Sequence, residues 1–199
     1  GSPMVQEVAI LFENYLWRGN RATKMSADNF NAFKSNNYSP LAKIGLGIHY
    51  NEEALMHAAP TRGLRVHYSM DPRVMFINLF PGMSEETFRH VIATPGIRGI
   101  VLKTFGAGNA PTADWFTDAV SEAVERGIVI LNVTQCVNGG VNSRRYVAGD
   151  RLTNAGAISG HDLTSEAAIT KMMHLFGQNM SVEQIKQHLE RPLCGEMSN

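Results

Sequence analysis

Apolar runs of strand length alternate with amphipathic segments of helix length from residue 74 to residue 189. Three continuous apolar runs, residues 74–79, 99–102 and 128–133, are typical of buried strands. Helices are predicted to begin near four residues that precede an apolar stripe: Ser84, Ala113, Thr164 and Ser181. Strands that alternate with helices pair in parallel through right-handed crossovers. The pattern therefore predicts an α/β fold, a small parallel sheet with helices on both faces.

The pattern before residue 74 is much less regular. One apolar run, residues 8–12, predicts a strand, and the polar segment Arg18-Gly19-Asn20-Arg21-Ala22-Thr23-Lys24 follows it. By itself this segment is compatible with a solvated basic loop or with polar groups presented at a sheet edge. The predicted organisation is a strip of an N-terminal domain in residues 4–47, a linker in residues 48–73 and an α/β domain in residues 74–199.

Composition excludes several classes of function. Hydrophobic residues make up 44% of the 199 positions and charged residues 18%, which indicates a globular chain. The formal net charge of +0 gives no support to a nucleic-acid partner or to binding at a membrane surface. Two cysteines are too few for a disulfide framework, and they fit a reducing, cytoplasmic compartment.

Polar residues follow two of the predicted strands at the point where each strand ends. They are Lys103, Thr104 and Asn109 after the second strand, and Thr134, Gln135 and Cys136 after the third. The carboxyl ends of parallel strands meet at one edge of the sheet, which is where open α/β sheets bind ligands. We therefore expect a small-molecule site at this edge.

No cofactor and no metal is predicted. Gly106 and Gly108 lack the third glycine of a dinucleotide-binding fingerprint, because Pro111 stands at that position. The seven histidines and two cysteines form neither a His-Glu-x-x-His nor a Cys-x-x-Cys sequence.

Several segments together resemble one enzyme family, the cytoplasmic, type I bacterial L-asparaginases. The segments that carry the resemblance are residues 18–24, 101–111, 131–136, 162–167, 170–171 and 193–197. They occur in the family's order and extend from about residue 8 to the C-terminus. The resemblance implies the C-terminal domain of the asparaginase fold, together with a remnant of the N-terminal α/β domain.

The resemblance also implies roles for single residues. Lys24 corresponds to the lysine of the family's catalytic Thr-Lys-Asp constellation, and Thr23, Lys103 and Cys136 correspond to positions that line an allosteric asparagine site. Regulated members carry an arginine at the Lys103 position. Asn109 corresponds to an asparagine that reaches a neighbouring subunit's active site. The alternatives are a surface lysine for Lys24, a solvent-facing strand end for Lys103, a small buried apolar residue for Cys136 and a turn residue for Asn109.

Two of the family's motifs do not occur in a usable place. The Thr-Gly-Gly-Thr motif with the nucleophilic threonine is absent, and the Thr117-Asp118 pair lies within a predicted helix. We therefore expect a C-terminal part of an enzyme that converts L-asparagine to aspartate and ammonia, inactive by itself. The family implies a homo-oligomer, a dimer or tetramer. The alternatives are an amino-acid-binding regulatory module and a subunit of a split amidase.

Overall fold

The chain divides into two units, Gly1–His67 and Tyr68–Asn199. A computed structural model describes residues 4–28, 32–57, 65–141 and 147–198. Within these residues, no helix is long and apolar enough to cross a membrane.

The first unit contains a four-stranded antiparallel sheet of order β1-β2-β5-β6. Its strands are β1 Ala9–Phe12, β2 Tyr15–Arg18, β5 Ala42–Ile44 and β6 Ile48–Tyr50. A two-residue turn at Glu13 and Asn14 joins β1 to β2, and Glu13 adopts a left-handed φ of 52° there. After β2 come a single 3₁₀ turn, Gly19–Arg21, and the strands β3 Thr23–Lys24 and β4 Phe33–Lys34, which pair with each other.

A small apolar cluster lies on this sheet. Leu41, Ala54 and Leu55 are buried in it, and Leu16 and Tyr50 pack against them. Strand β6 and residues 51–55 fall within residues 48–73, which the sequence predicts to be a linker. In the structure, the Asn51 N–H of this segment donates to the Leu41 carbonyl at 2.9 Å. The division between the units at 67/68 lies in the same segment.

The second unit is built on a parallel sheet of order β10-β9-β8-β7. Its strands are β7 Val74–Asn78, β8 Gly99–Thr104, β9 Val129–Thr134 and β10 Ile158–Ser159. The three predicted strands and the parallel α/β class are confirmed. Strand β10 is only two residues long and carries no period that a sequence pattern could reveal.

Helices cover both faces of this sheet, as predicted. They are α1 Glu85–Ile92, α2 Asp114–Glu125, α3 Val147–Asn154, α4 Ser165–Phe176 and α5 Val182–Leu189. Alternate strand residues enter two separate cores: Val101 and Leu131 pack with α4 and α5, whereas Ile100 and Ile130 pack with α1 and α2.

The predicted helix starts are confirmed by their caps. The side chains of Ser84, Thr164 and Ser181 each accept a backbone N–H of the first turn, and Gln184 completes a capping box with Ser181. Helix α2 begins after Ala113, which makes no side-chain cap. Helix α3 was not predicted from the sequence.

The tail after α5 is held by a buried ion pair. The Lys171 ammonium on α4 lies 2.8 Å from Glu196 Oε1. It also donates to the carbonyls of Leu189 at 3.2 Å and Arg191 at 2.7 Å. Farther along, the Ser198 N–H and hydroxyl donate to the Asp162 carboxylate at 2.8 and 2.6 Å. The tail is thereby fixed both to α4 and to the loop that follows β10.

Candidate functional site

Lys24 lies on the short strand β3 of the first unit. Lys24 is exposed, whereas Thr23 is half-buried. Strand β3 is paired by Thr23 with Lys34 and by Lys24 with Phe33, and the Met25 N–H donates to the Ala32 carbonyl at 2.6 Å. The amine of Lys24 is therefore carried on hydrogen-bonded backbone and is accessible to a reacting group.

The arginines that precede Lys24 are buried, so the interpretation of residues 18–24 as a solvated basic loop is wrong for them. Arg18 is 6% exposed and Arg21 is 3% exposed. Arg18 forms an ion pair with Glu7 and donates to the Ala54 carbonyl at 3.0 Å. Burial alone would lower the pKa of Arg18, but the hydrogen bond and charge of Glu7 raise it above its ordinary value.

In the second unit, three buried polar residues lie at the carboxyl edge of the sheet. Thr104 is 0%, Asn132 4% and Thr134 7% exposed. The Thr104 hydroxyl donates to Asn132 Oδ1 at 2.7 Å, and Thr104 lies opposite Thr134 across β8 and β9. Buried polar groups need such partners because a lost hydrogen bond leaves a desolvated atom unpaired.

Thr134 connects the two loops that leave this edge. Its hydroxyl donates to the Gly106 carbonyl and accepts the Cys136 N–H at 3.0 Å. Phe105 and Asn109 close the first loop by exchanging backbone hydrogen bonds of 2.8 and 2.7 Å. Gly108 has a φ of +111°, and a Cβ there would stand 2.8 Å from Val141 Cγ1. The backbone conformation of the loop that carries Asn109 is therefore restricted.

Gln135 fixes the ends of two neighbouring strands. Its side-chain amide donates to the carbonyls of Leu79 at 2.6 Å and Lys103 at 2.9 Å. Its backbone N–H donates to the Thr104 carbonyl at 2.9 Å. The side chains of Thr104, Thr134 and Gln135 thus connect strand ends and loops by hydrogen bonds, and they lie at the carboxyl edge of the sheet, where the sequence predicts polar residues.

The predicted site residues fall into two groups. Lys103, Asn109 and Cys136 lie together at the carboxyl edge of the second unit, whereas Thr23 and Lys24 belong to the first unit. Lys103 and Asn109 are half-buried. Cys136 is exposed and free, so the alternative of a small buried apolar residue does not hold for it.

Sequence reasoning did not assign a role to Asn132, Arg18 or Arg21. Asn132 stands in the middle of an apolar run, and a polar residue at a buried strand position is a signal that could have identified it. The burial of Arg18 and Arg21 carries no such signal, because it depends on Glu7 and Tyr38, which are distant in sequence. No group of three or more His, Cys, Asp or Glu residues suited to a metal ion occurs in the described part of the chain.

Two family models match the chain. The model described as the glutaminase/asparaginase C-terminal domain matches residues 73–189, and the model described as the N-terminal part of asparaginase matches residues 1–56. The first match lies in the second unit and the second match in the first unit.

The proteins similar to this chain include a lysophospholipase and L-asparaginases. The chain is 41% identical to a human 60 kDa lysophospholipase over 100% of its own length and 34% of that protein. It is 36% identical to L-asparaginase 1 of Escherichia coli strain K12, over 98% of its own length and 57% of the relative. The crystal structure of L-asparaginase I from Vibrio cholerae superimposes with a TM-score of 0.91 at 37% identity, over 98% of this chain and 58% of that one. The chain thus spans between a third and three-fifths of these relatives.

Proposed function

The chain belongs to the glutaminase/asparaginase family, and from this membership we propose that it is part of an amidohydrolase that converts L-asparagine to L-aspartate and ammonia. Amide hydrolysis needs a nucleophile, a group that handles the nucleophile's proton and donors for the developing oxyanion. The proposal assigns the proton-handling role to Lys24. The proposal places the nucleophilic threonine outside these 199 residues, which contain no Thr-Gly-Gly-Thr sequence.

The observation that carries the proposal is the placement of Lys24. The side chain is exposed, whereas the preceding residues Arg21 and Ala22 are 3% and 8% exposed. An amine on a four-carbon stem can reach a hydroxyl and exchange a proton with it, provided that the backbone beneath it is fixed. Strand β3 meets this condition through its pairing with β4.

The polar edge of the second unit supports an accessory role in recognition. We assign Lys103 and Cys136 of this edge to binding of an amino-acid ligand, with Asn109 offering its amide. Thr23, in the first unit, is assigned separately to binding of an amino-acid ligand. An ammonium attracts a carboxylate as a point charge and lacks the two-pronged geometry of an arginine. Any effector that uses Lys103 should therefore bind more loosely than it would to an arginine. The proposal further includes a homo-oligomeric, cytoplasmic enzyme without a cofactor.

Ammonia release tests the proposal. The polypeptide of 199 residues is expected to show no turnover of L-asparagine above background, because groups that act as a unit lose nearly all their effect when one is removed. Turnover that disappears in Lys24→Ala would contradict this expectation and would require a nucleophile within the chain. Turnover that survives Lys24→Ala would remove Lys24 from the chemistry.

An amino-acid-binding module without catalysis is the second candidate. The observation that favours it is that the network around Thr104, Asn132 and Thr134 is complete within the second unit. Calorimetry with L-asparagine should then show weak binding that Lys103→Ala reduces. Lys43→Ala, which removes a lysine from β5 of the first unit, is the matched control.

A further inference from the structure

A buried ionic cluster in the first unit has no part in the chemistry assigned above. Arg18 is 6% and Arg21 3% exposed, and the side chain of Glu7 is 5% exposed. Charged residues are almost never fully buried unless they are paired. Replacement of such groups by apolar residues is often neutral or stabilising, so their presence needs a reason other than the strength of the fold.

Arg18 is held by a carboxylate and by a backbone carbonyl. It binds both oxygens of the Glu7 carboxylate, with NH2 at 3.2 Å from Oε1, and donates to the Ala54 carbonyl at 3.0 Å. Glu7 Oε1 in turn accepts the Met56 N–H at 2.8 Å. A two-pronged arginine–carboxylate contact fixes orientation as well as distance, so the end of β2 has little freedom.

Tyr38 joins the two arginines. The guanidinium carbon of Arg18 lies 4.4 Å from the centre of the Tyr38 ring, and that of Arg21 lies 5.0 Å from it. The Tyr38 hydroxyl donates to the Ala54 carbonyl at 2.9 Å, the same oxygen that Arg18 contacts. One ring therefore holds both ends of the 3₁₀ turn, since Arg18 precedes the turn and Arg21 ends it.

The turn leads directly into β3. The Gly19 N–H donates to the Val8 carbonyl at 2.9 Å, and a Cβ at Gly19 would stand only 3.0 Å from that oxygen. Strand β3 is two residues long and therefore has few hydrogen bonds of its own. The direction in which Lys24 leaves the protein therefore depends on this turn as well as on the pairing of β3 with β4.

We propose that Glu7, Arg18, Arg21 and Tyr38 form an arginine clamp that positions Lys24, an inference that rests on the function proposed for Lys24. The four side chains of the arginine clamp are positioning residues and do not touch the reacting groups. Cation–π contacts and a paired carboxylate give the turn one orientation, whereas apolar packing alone would tolerate several.

Backbone NMR relaxation on the full chain tests the arginine clamp. Rigid backbone has an order parameter of about 0.85, and flexible backbone falls below about 0.6. Tyr38→Leu removes the ring and should lower the order parameters of Thr23 and Lys24 into the flexible range. Tyr38→Phe keeps the ring and should leave them near the wild-type values. Leu16→Ala, which weakens the apolar cluster on the same sheet, is the control for general destabilisation.

The outcomes separate a positioning role from a purely structural one. Loss of order at Lys24 in Tyr38→Leu, without such loss in Leu16→Ala, supports the clamp. Unchanged order in Tyr38→Leu overturns it, and so does an equal loss in both variants. If Tyr38→Leu unfolds the first unit, Glu7→Gln decides: it removes the charge paired with Arg18 and keeps an acceptor for Met56. The measurement needs no substrate, so a failure of the asparaginase proposal leaves its result intact.

Discussion

Removing one partner of the buried pair Lys171–Glu196 should destabilise the second unit far more than removing one partner of a surface ion pair. The side chains are 3% and 4% exposed, and their charged atoms lie 2.8 Å apart. Although burial alone would raise the pKa of Glu196, the hydrogen bonds from Lys171 and from the Cys194 and Leu193 N–H groups hold it below its ordinary value. Burial lowers the pKa of Lys171, and Glu196 offsets part of that effect.

Removing one partner leaves a buried charge without its counterion. Loss of one member of such a pair costs about 3–5 kcal/mol. Glu196→Gln keeps one acceptor oxygen, so its loss of free energy should lie near the lower end of this range. Glu196→Ala also leaves the N–H groups of Leu193 and Cys194 without an acceptor, so its loss should lie near the upper end. Since total stabilities are about 5–15 kcal/mol, a loss of this size removes a large fraction of the free energy of unfolding.

The double variant provides a sharper test than either single one. Lys171→Met with Glu196→Gln removes both charges, so it should lose less free energy of unfolding than the two single losses added together. The remaining cost is that the carbonyls of Leu189 and Arg191 lose their donor. A strictly additive result would show that the two charges do not stabilise each other.

Urea unfolding measures the effect on the whole unit, and hydrogen exchange measures the effect on the tail. Urea unfolding gives the free energy, and exchange of residues 190–198 shows whether the tail opens before the rest of the unit. Glu85→Gln is the control, because Glu85 and Arg89 form an ion pair with side chains 47% and 34% exposed and should contribute little. The reasoning is refuted if Glu196→Gln changes the free energy of unfolding no more than Glu85→Gln does.

Three further outcomes are expected. Thr134→Val should cost about 1–3 kcal/mol in urea unfolding, since it removes a buried hydroxyl that joins two loops, and Thr134→Ser should restore most of the loss. Gly108→Ala should lower the melting temperature well below that of Gly45→Ala, because Gly108, unlike Gly45, combines a positive φ with a close neighbour. Hydrogen bonds from Arg73 and Arg98 hold the pKa of Asp71 well below its ordinary value. The stability from Asp71 is thus complete above about pH 5 and is lost as the pH falls further, so Asp71→Asn should flatten that part of the acid-unfolding curve.

The sequence predicts the second unit well because its central strands, β8 and β9, are buried on both faces. Continuous apolar runs such as residues 128–133 then stand out, and capping residues mark the starts of α1, α4 and α5. Helix α3 and β10 escape prediction for different reasons. Helix α3 contains Gly149 and several polar residues, and β10 has only two residues.

The first unit is hard to predict because its strands have two to four residues. Strands of this length show no alternation, and their pairing depends on partners far along the chain, as when Ala42 of β5 pairs with both Leu16 and Tyr50. The same holds for the arginine clamp. The local sequence pattern favours exposure for Arg18 and Arg21. They are buried because Glu7 pairs with Arg18 and the Tyr38 ring contacts both arginines.

The segments that carry the family resemblance separate into two kinds when their contacts are compared. Residues 170–171 and 193–197 are joined to each other by the pair of Lys171 and Glu196, so each segment has its partner within the second unit. Lys24 and Cys136 differ, because each is exposed and directly follows buried or hydrogen-bonded residues of its own segment. A protein gains no packing from an exposed side chain, yet the backbone of Lys24 is paired with β4, and the backbone N–H of Cys136 donates to the Thr134 hydroxyl. Rigid backbone beneath an accessible polar group is what recognition and catalysis require, and our proposals for Lys24 and Cys136 depend on this property.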